Sequence, residues 1–463
     1  MDLTYRKKPI AEAVAFDDTL LPSDKSISHR VLLLAALESG NTVLENVNMG
    51  GAIIPLLEAF EVLGIPVTQP SEGTLVVGTF DVDAFNRAAL SKTEVPTLNL
   101  GSSSTAARLL IGVLAGLGVN AIVDGDESLR PRPVDWVVDP LRELGAEIVY
   151  LRAEGELPIQ IKRSEIHGGT VTLSVGSAQA LSAILFAGYA ANIEISVHQR
   201  VRSRDHTQRI MQHLGASISI EGDFVHFKPG SYKSFTQYRV PLDPSAVVYP
   251  IVSYFLQQGR GPSKKDLHIR NVCLNETRTG FLFLLKRLGA SIQIQNTQTY
   301  FEEEIGDIFV PAEATLEAVN PWLLDDDFIF HAMIDEIPLA VAVASQMNGR
   351  SVFKGLGELT FKETNRILST QSLLKDFGIE VEVFDDVITV EGKQPLRPGG
   401  RVNSFGDHRL AMTAAAICSG ANIDAYIERG SCYQTSYPDF VESINQISQG
   451  TLTEGVFDEA AYG

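Results

Sequence analysis

The sequence predicts an α/β protein of two domains, each assembled from three copies of one unit that carries two helices. Three observations lead there. The chain has 463 residues, more than one ordinary core serves, so two large domains are expected. A tripeptide with central glycine recurs at Leu63-Gly64-Ile65, Leu144-Gly145-Ala146, Leu214-Gly215-Ala216, Leu288-Gly289-Ala290 and Phe377-Gly378-Ile379, spaced by about 70 to 90 residues. Between these markers lies a second recurring run, apolar and rich in small residues.

Each marker follows apolar residues at helical spacing, as in VVDPLRELGAEIVYL and TGFLFLLKRLGASIQI, and precedes an alternating segment. This reads as helix, glycine at the C-cap, then strand. The second run occurs six times, in KSISHRVLLLAAL, SSSTAARLLIGVLAG, AQALSAILFAGYAAN, DPSAVVYPIVSYFL, PLAVAVASQMNG and RLAMTAAAICSGAN. A helix apolar all round is expected inside a domain, and most of these runs lead into a β-branched strand.

Composition narrows the function. With 57 Asp and Glu against 38 Lys and Arg, the average surface repels nucleic acid and anionic membranes. Anionic small molecules remain open as partners where cations are gathered locally. Cys273, Cys418 and Cys432 are too scattered for a disulfide framework or a zinc site, which predicts a reduced, cytoplasmic protein. The opening MDLTYRKKPIAEAV lacks the apolar core of a secretory signal, and no run of about 18 apolar residues occurs, so a soluble chain is expected. The acidic end GVFDEAAYG is expected to be disordered.

Polarity appears where the six apolar helices begin, at KSISHR, GSSSTAAR, GSAQ, DPSA, DEIP and GDHR. A helix N-terminus offers free N–H groups and partial positive charge, so it receives anions. Ordinary capping by Ser, Thr and Asp is the plain alternative. It fits KSISHR and GDHR less well, because cations in a first turn oppose the helix dipole. Other charged clusters are GDESLRPRPV, whose Arg130 and Arg132 could fork onto carboxylate or phosphate, and SRDHTQRI with Arg204, His206 and Arg209. In KETNRI, Lys362, Glu363 and Arg366 are expected to open an amphipathic helix, with Lys362 and Arg366 on one face. Asp335 and Glu336 precede a buried helix as caps or as a general base. The chain shows no P-loop, GxGxxG, HExxH or GxSxG.

In this order and spacing KSISHRVLLLAAL, GDESLRPRPV, SRDHTQRI, DEIPLAVA, KETNRI, GDHRLAM and SYPDF resemble the signature of the EPSP synthases, within the enolpyruvyl transferase family. The resemblance runs from about Lys25 to Phe440 and fits UDP-GlcNAc enolpyruvyl transferases less well. It implies two inverse α/β domains, each of three βαβαββ repeats, joined by a double crossover near Leu21 and near Pro241 to Asp243. The domains would be 21–241, and 1–20 with 242–463. The implied reaction moves the enolpyruvyl group of phosphoenolpyruvate (PEP) to the 5-hydroxyl of shikimate 3-phosphate with release of phosphate, without metal or organic cofactor and in a chain expected to be a monomer. By the same resemblance Lys25, Arg132, Gln179, Glu363, Arg366 and Arg409 stand where PEP is contacted. Ser26, Arg30, Ser177, Ser203, Asp335 and Lys362 stand where the acceptor is held. Asp335 would take the hydroxyl proton, Glu363 would share in proton transfer at the PEP carbon, and Lys25 is a further catalytic candidate.

Several positions depart from the family pattern. Thr435 stands where a lysine is usual, and GSSST replaces GNAGT with Ser102 and Ser104. Gly50-Gly51-Ala52, Ala178, Glu358, Thr360 and Asn365 are further changes. The residues therefore leave open a working EPSP synthase, a relative with another acceptor or reaction, and a non-catalytic anion-binding paralogue.

Overall fold

The computed structural model describes residues 1–7, 16–90, 94–257, 265–314, 316, 327–448 and 450–455. From residue 456 on, the acidic end expected to be disordered lies outside them. The chain divides into two compact units. One contains Ser23–Pro241 with Thr299–Glu303; the other contains Met1–Pro22, Leu242–Gln298 and Glu304–Gly463.

The unit of Ser23–Pro241 contains three four-stranded sheets of one pattern. In the middle one, strand Thr97–Asn99 runs parallel to Ala121–Asp124, which pairs antiparallel with Ile159–Ile161, itself antiparallel to Ile148–Tyr150. The apolar helix Ser104–Gly116 connects the parallel pair, and helix Asp135–Glu143 leads to the hairpin. This gives strand, helix, strand, helix, strand, strand. The same order serves Gly169–Thr172, Ala178–Ala191, Ile195–His198, His206–His213, Ser217–Glu221 and Phe224–Lys228. In the remaining sheet the late strand Gln237–Arg239 pairs in parallel with Thr42–Glu45, so the end of the segment supplies the strand that helix Lys25–Leu37 needs beside it.

In the other unit, strand Asp2–Arg6 lies between Ala425–Glu428 and Thr451–Gly455, with Leu3 opposite Ile427 on one side and Glu454 on the other. Gly400–Asn403 completes that sheet in parallel with Ala425–Glu428. Two further sheets, Leu267–Cys273 with Glu303–Val310 and Gln293–Tyr300, and Arg350–Phe353 with Val387–Glu391 and Val381–Phe384, show three strands each among the described residues. Helices Pro244–Leu256, Ile337–Ala344 and His408–Ala421 are buried along most of their length. The two units thus share the α/β repeat architecture that the sequence predicts.

The local signals act as expected. Gly64, Gly145, Gly215, Gly289 and Gly378 all have positive φ just after a helix, where a Cβ would strain the backbone. Asn192 and Asn422 close the helices Ala178–Ala191 and His408–Ala421 in the same left-handed conformation.

Small residues in the apolar helices let backbones meet. A Cβ on Gly112 would lie 2.0 Å from the Ala183 carbonyl oxygen, and one on Gly116 would lie 2.6 Å from that of Ala187. Helices Ser104–Gly116 and Ala178–Ala191 therefore pack at a separation only glycine permits. Gly112→Ala gains about 1 kcal/mol of helix propensity but forces the pair apart at a cost of about 1 to 3 kcal/mol or more. Urea unfolding should show a net loss of stability, and an unchanged or raised midpoint would contradict this packing.

Candidate active site

In the unit of Ser23–Pro241, helix Lys25–Leu37 starts at Asp24, whose carboxylate accepts from the Ile27 N–H at 2.8 Å. Lys25 and Ser26 are half-buried in its first turn. Arg30 is turned inward: Nε donates to Thr207 Oγ1 at 2.7 Å, Nη2 to Ser182 Oγ at 2.9 Å and Nη1 to the Ser26 carbonyl at 2.8 Å. Its positive charge is thus fixed beside Ser26, with hydroxyls and a carbonyl among its partners. Ser28 and His29 face other neighbours. His29 is fully buried, with Nδ1 2.7 Å from the Lys25 carbonyl and Nε2 3.1 Å from the Ala52 carbonyl and 3.2 Å from Ser103 Oγ.

Ser177 caps helix Ala178–Ala191 through the Ala180 N–H at 3.3 Å, and Gln179 follows in its first turn. Gln179 accepts from Arg108 Nη1 at 2.6 Å and donates to Thr105 Oγ1 at 2.9 Å. Arg108 Nη2 also donates to the Pro133 carbonyl at 2.7 Å, next to Arg132, and its guanidinium lies over the Trp136 ring. Arg108 therefore links the segments that carry Gln179 and Arg132. Arg132 is buried, and its Nε donates to the Ser128 carbonyl at 3.0 Å. The neighbouring Arg130 is engaged bidentately by Asp124, at 2.9 and 2.7 Å, which ties its fork to the protein. The buried Ser203 hydroxyl has no hydrogen-bond partner among the described residues.

In the other unit Arg366, which is 1% exposed, collects three carboxylates. Nε donates to Asp407 at 2.7 Å, Nη1 to Asp335 at 3.0 Å and Nη2 to Glu363 at 2.5 Å. Burial opposes its charge, but Asp407, Glu363 and Asp335 outweigh that and hold the guanidinium well above its ordinary pKa. Lys362 lies 3.5 Å from Asp335 and also pairs with Glu358. Arg409 is buried; Nη1 donates to the Ser245 carbonyl at 2.8 Å and lies 3.7 Å from Glu336. Asp335, Lys362, Glu363 and Arg366 form one charged cluster, and Arg409 joins through Asp407, which accepts from its backbone N–H at 2.8 Å.

Two expectations need correction. Lys362 and Glu363 do not open a helix: Asn365 is the N-cap, accepting from the Leu368 N–H at 3.3 Å, and the helix runs Arg366–Asp376. Lys362 and Glu363 precede it and reach Asp335 and Arg366 through a bend instead of through i, i+4 spacing. Nor do Asp335 and Glu336 supply a side-chain cap to helix Ile337–Ala344. Cations hold them instead. Asp407 is a member of the cluster that the sequence offers only as a cap within GDHR. It does cap helix His408–Ala421, but it also anchors Arg366, and only the fold brings that pair together.

A family model described as EPSP synthase (3-phosphoshikimate 1-carboxyvinyltransferase) matches residues 18–444. The 3-phosphoshikimate 1-carboxyvinyltransferase of Geobacillus kaustophilus is 36% identical over 428 residues, covering 92% of this chain and 96% of that protein. Its counterpart in Bacillus subtilis is 34% identical over 430 residues, covering 93% and 96%. Among solved structures, EPSP synthase from Acinetobacter baumannii superposes with a TM-score of 0.81 at 28% identity, over 98% of this chain and 100% of that one.

Burial, helped by the Lys25 and Arg30 cations and against its hydrogen bonds, pushes the His29 pKa from 6.5 down to about 4. Between those values the unfolded chain takes up a proton that the folded one refuses. Stability linked to His29 is therefore whole above pH 6.5 and falls as the pH drops toward 4, by on the order of 3 kcal/mol in total. Urea unfolding of wild type and His29→Gln at pH 7 and pH 4.5 should show the wild-type advantage shrink by about 2 to 3 kcal/mol. A constant difference would contradict a neutral buried ring.

Proposed function

The chain belongs to the EPSP synthase family, and on that premise we propose that it transfers the enolpyruvyl group of PEP to the 5-hydroxyl of shikimate 3-phosphate with release of phosphate. The cluster of Asp335, Lys362, Glu363 and Arg366 carries this reading. It places a carboxylate able to accept a proton directly beside two cations able to receive anionic substrates. The full-length relatives give no support to a changed acceptor or a lost activity. Three free cysteines and a net charge of -19 fit a cytoplasmic enzyme whose partners are anionic small molecules rather than nucleic acid. The two compact units support domains of 21–241, and of 1–20 with 242–463.

In this reaction a proton adds to the PEP methylene carbon, the acceptor hydroxyl adds to C2 as it loses its proton, and the tetrahedral intermediate expels phosphate as its methyl group gives up a proton, which restores the carbon–carbon double bond. Asp335 is the base for the hydroxyl. Arg366 Nη1 at 3.0 Å and Lys362 at 3.5 Å hold the carboxylate in place. Glu363 handles the proton at the PEP carbon, and its reach to Arg366 fixes its direction. Lys25, Arg132, Arg366 and Arg409 balance the charges of PEP and of the developing intermediate, with Gln179 held for hydrogen bonding by Arg108 and Thr105. Ser26, Arg30, Ser177, Ser203 and Lys362 receive the acceptor and its phosphate.

Thr435 offers no proton at the position where the family usually has lysine. Lys25 and Lys362 are the lysines of this set that remain to supply one. Lys362 is the better placed for proton exchange with the base, 3.5 Å from Asp335.

A coupled assay should detect phosphate release only when PEP and shikimate 3-phosphate are both present. Asp335→Asn, folded as judged by circular dichroism, should lower kcat by roughly 10²- to 10⁴-fold. Absence of turnover by the folded wild type would sink the activity, and full activity of the variant would remove Asp335 as the base.

A further inference from the structure

We propose that His29 is a positioning residue for this reaction, tying the first turn of helix Lys25–Leu37 to the turn at Ser103 and so fixing the place of Lys25 and Ser26. The inference rests on the functional reading above, which gives the placement of those two residues its importance.

The ring is fully buried, and groups from three parts of the chain lie against its two nitrogens. They are the Lys25 carbonyl in the first helical turn, the Ala52 carbonyl in the turn after strand Thr42–Glu45, and the Ser103 hydroxyl at the start of helix Ser104–Gly116. Its neighbours in sequence brace the same turn from other sides. Ser28 Oγ donates to the Asp24 carbonyl at 2.8 Å and accepts from the Asn48 N–H at 3.1 Å. Asn48 in turn donates to the Ser23 carbonyl at 2.8 Å and accepts from the Gly50 N–H at 2.9 Å. Arg30 fixes the turn to Ser182 and Thr207. Of the three consecutive residues, His29 is the one that joins Lys25 to the turn containing Ser102, Ser103 and Ser104.

The choice of histidine follows from its chemistry. A neutral imidazole carries one N–H and one lone pair on opposite sides of a rigid ring, so it can donate in one direction and accept in the other. The shorter contact assigns the proton to Nδ1, which donates to the Lys25 carbonyl; Nε2 then accepts from the Ser103 hydroxyl, and the Ala52 carbonyl, itself only an acceptor, is a close neighbour rather than a partner. A cationic ring could not accept. Burial beside Lys25 and Arg30 disfavours that form.

Replacing His29 with leucine keeps bulk and removes both hydrogen bonds; glutamine keeps a donor and an acceptor. His29→Leu should raise the KM for PEP roughly tenfold with kcat changed far less, because a small displacement of a binding group is felt in the bound complex. His29→Gln should regain most of that loss. A folded His29→Leu with wild-type KM, lowering only the melting temperature, would reduce His29 to a packing residue and overturn the inference. If His29→Leu fails to fold, Ser103→Ala serves in its place: a KM for PEP raised about threefold supports the inference and an unchanged one overturns it.

Nitrogen-15 spectra of the ring provide a readout independent of turnover. A proton on Nδ1 from pH 5 to 8 supports the inference; a proton on Nε2, or titration at the ordinary histidine value, overturns it. Should the folded wild type release no phosphate, the functional reading falls while the ring spectrum still decides the role of His29.

Discussion

The contact on which most of the charged cluster depends is the one between Arg366 and Asp407, at 2.7 Å with both side chains out of water. Burying a guanidinium costs several kcal/mol unless a well-placed carboxylate offsets it. Asp407 does so while its other oxygen caps helix His408–Ala421 through the Arg409 N–H. One carboxylate thus fixes a helix start, a buried cation and the backbone of a second arginine. Asp335 and Glu363 are then held by the terminal guanidinium nitrogens, and both are more exposed than Asp407.

The same economy recurs at other helix starts. Asp24, Ser177 and Asp243 are caps in the ordinary sense, accepting from N–H groups of the following turn. Groups with a different role stand next to two of these caps, Lys25 and Ser26 after Asp24 and Gln179 after Ser177. Asp243 itself also pairs with the buried Arg278 at 2.8 Å. The capping and the anion-binding readings of these starts therefore describe neighbouring atoms of one turn. A cap frees the next residues to face a ligand, since their N–H groups and side chains are not needed to end the helix.

The repeats were legible because they depend on local rules: glycine or asparagine wherever a helix turns left-handed, and apolar small residues wherever two backbones meet, as at Gly112 and Ala183. The family signature brought Lys25, Arg366 and Asp335 forward together. What stayed hidden depends on tertiary pairing. Nothing near KETNRI shows that Asn365 takes the cap and bends Lys362 and Glu363 off the helix. Asp407 and Arg366 are 41 positions apart, and Arg108 meets Gln179 across 71. His29 lies in plain view within KSISHR, yet a buried histidine bonded across 74 positions to Ser103 has no local pattern.

Asp407 and Glu363 hold the same guanidinium, Asp407 as its buried anchor and Glu363 as the proton-handling group of the proposed reaction. Urea unfolding of the wild type, Asp407→Asn and Glu363→Gln tests this division most directly. Loss of one member of a buried ion pair costs about 3 to 5 kcal/mol, so Asp407→Asn should unfold at clearly lower urea. Glu363→Gln should cost clearly less, because Glu363 is partly exposed and Arg366 keeps Asp407 and Asp335 when it is lost. Equal losses in the two variants, or a larger one in Glu363→Gln, would contradict the division.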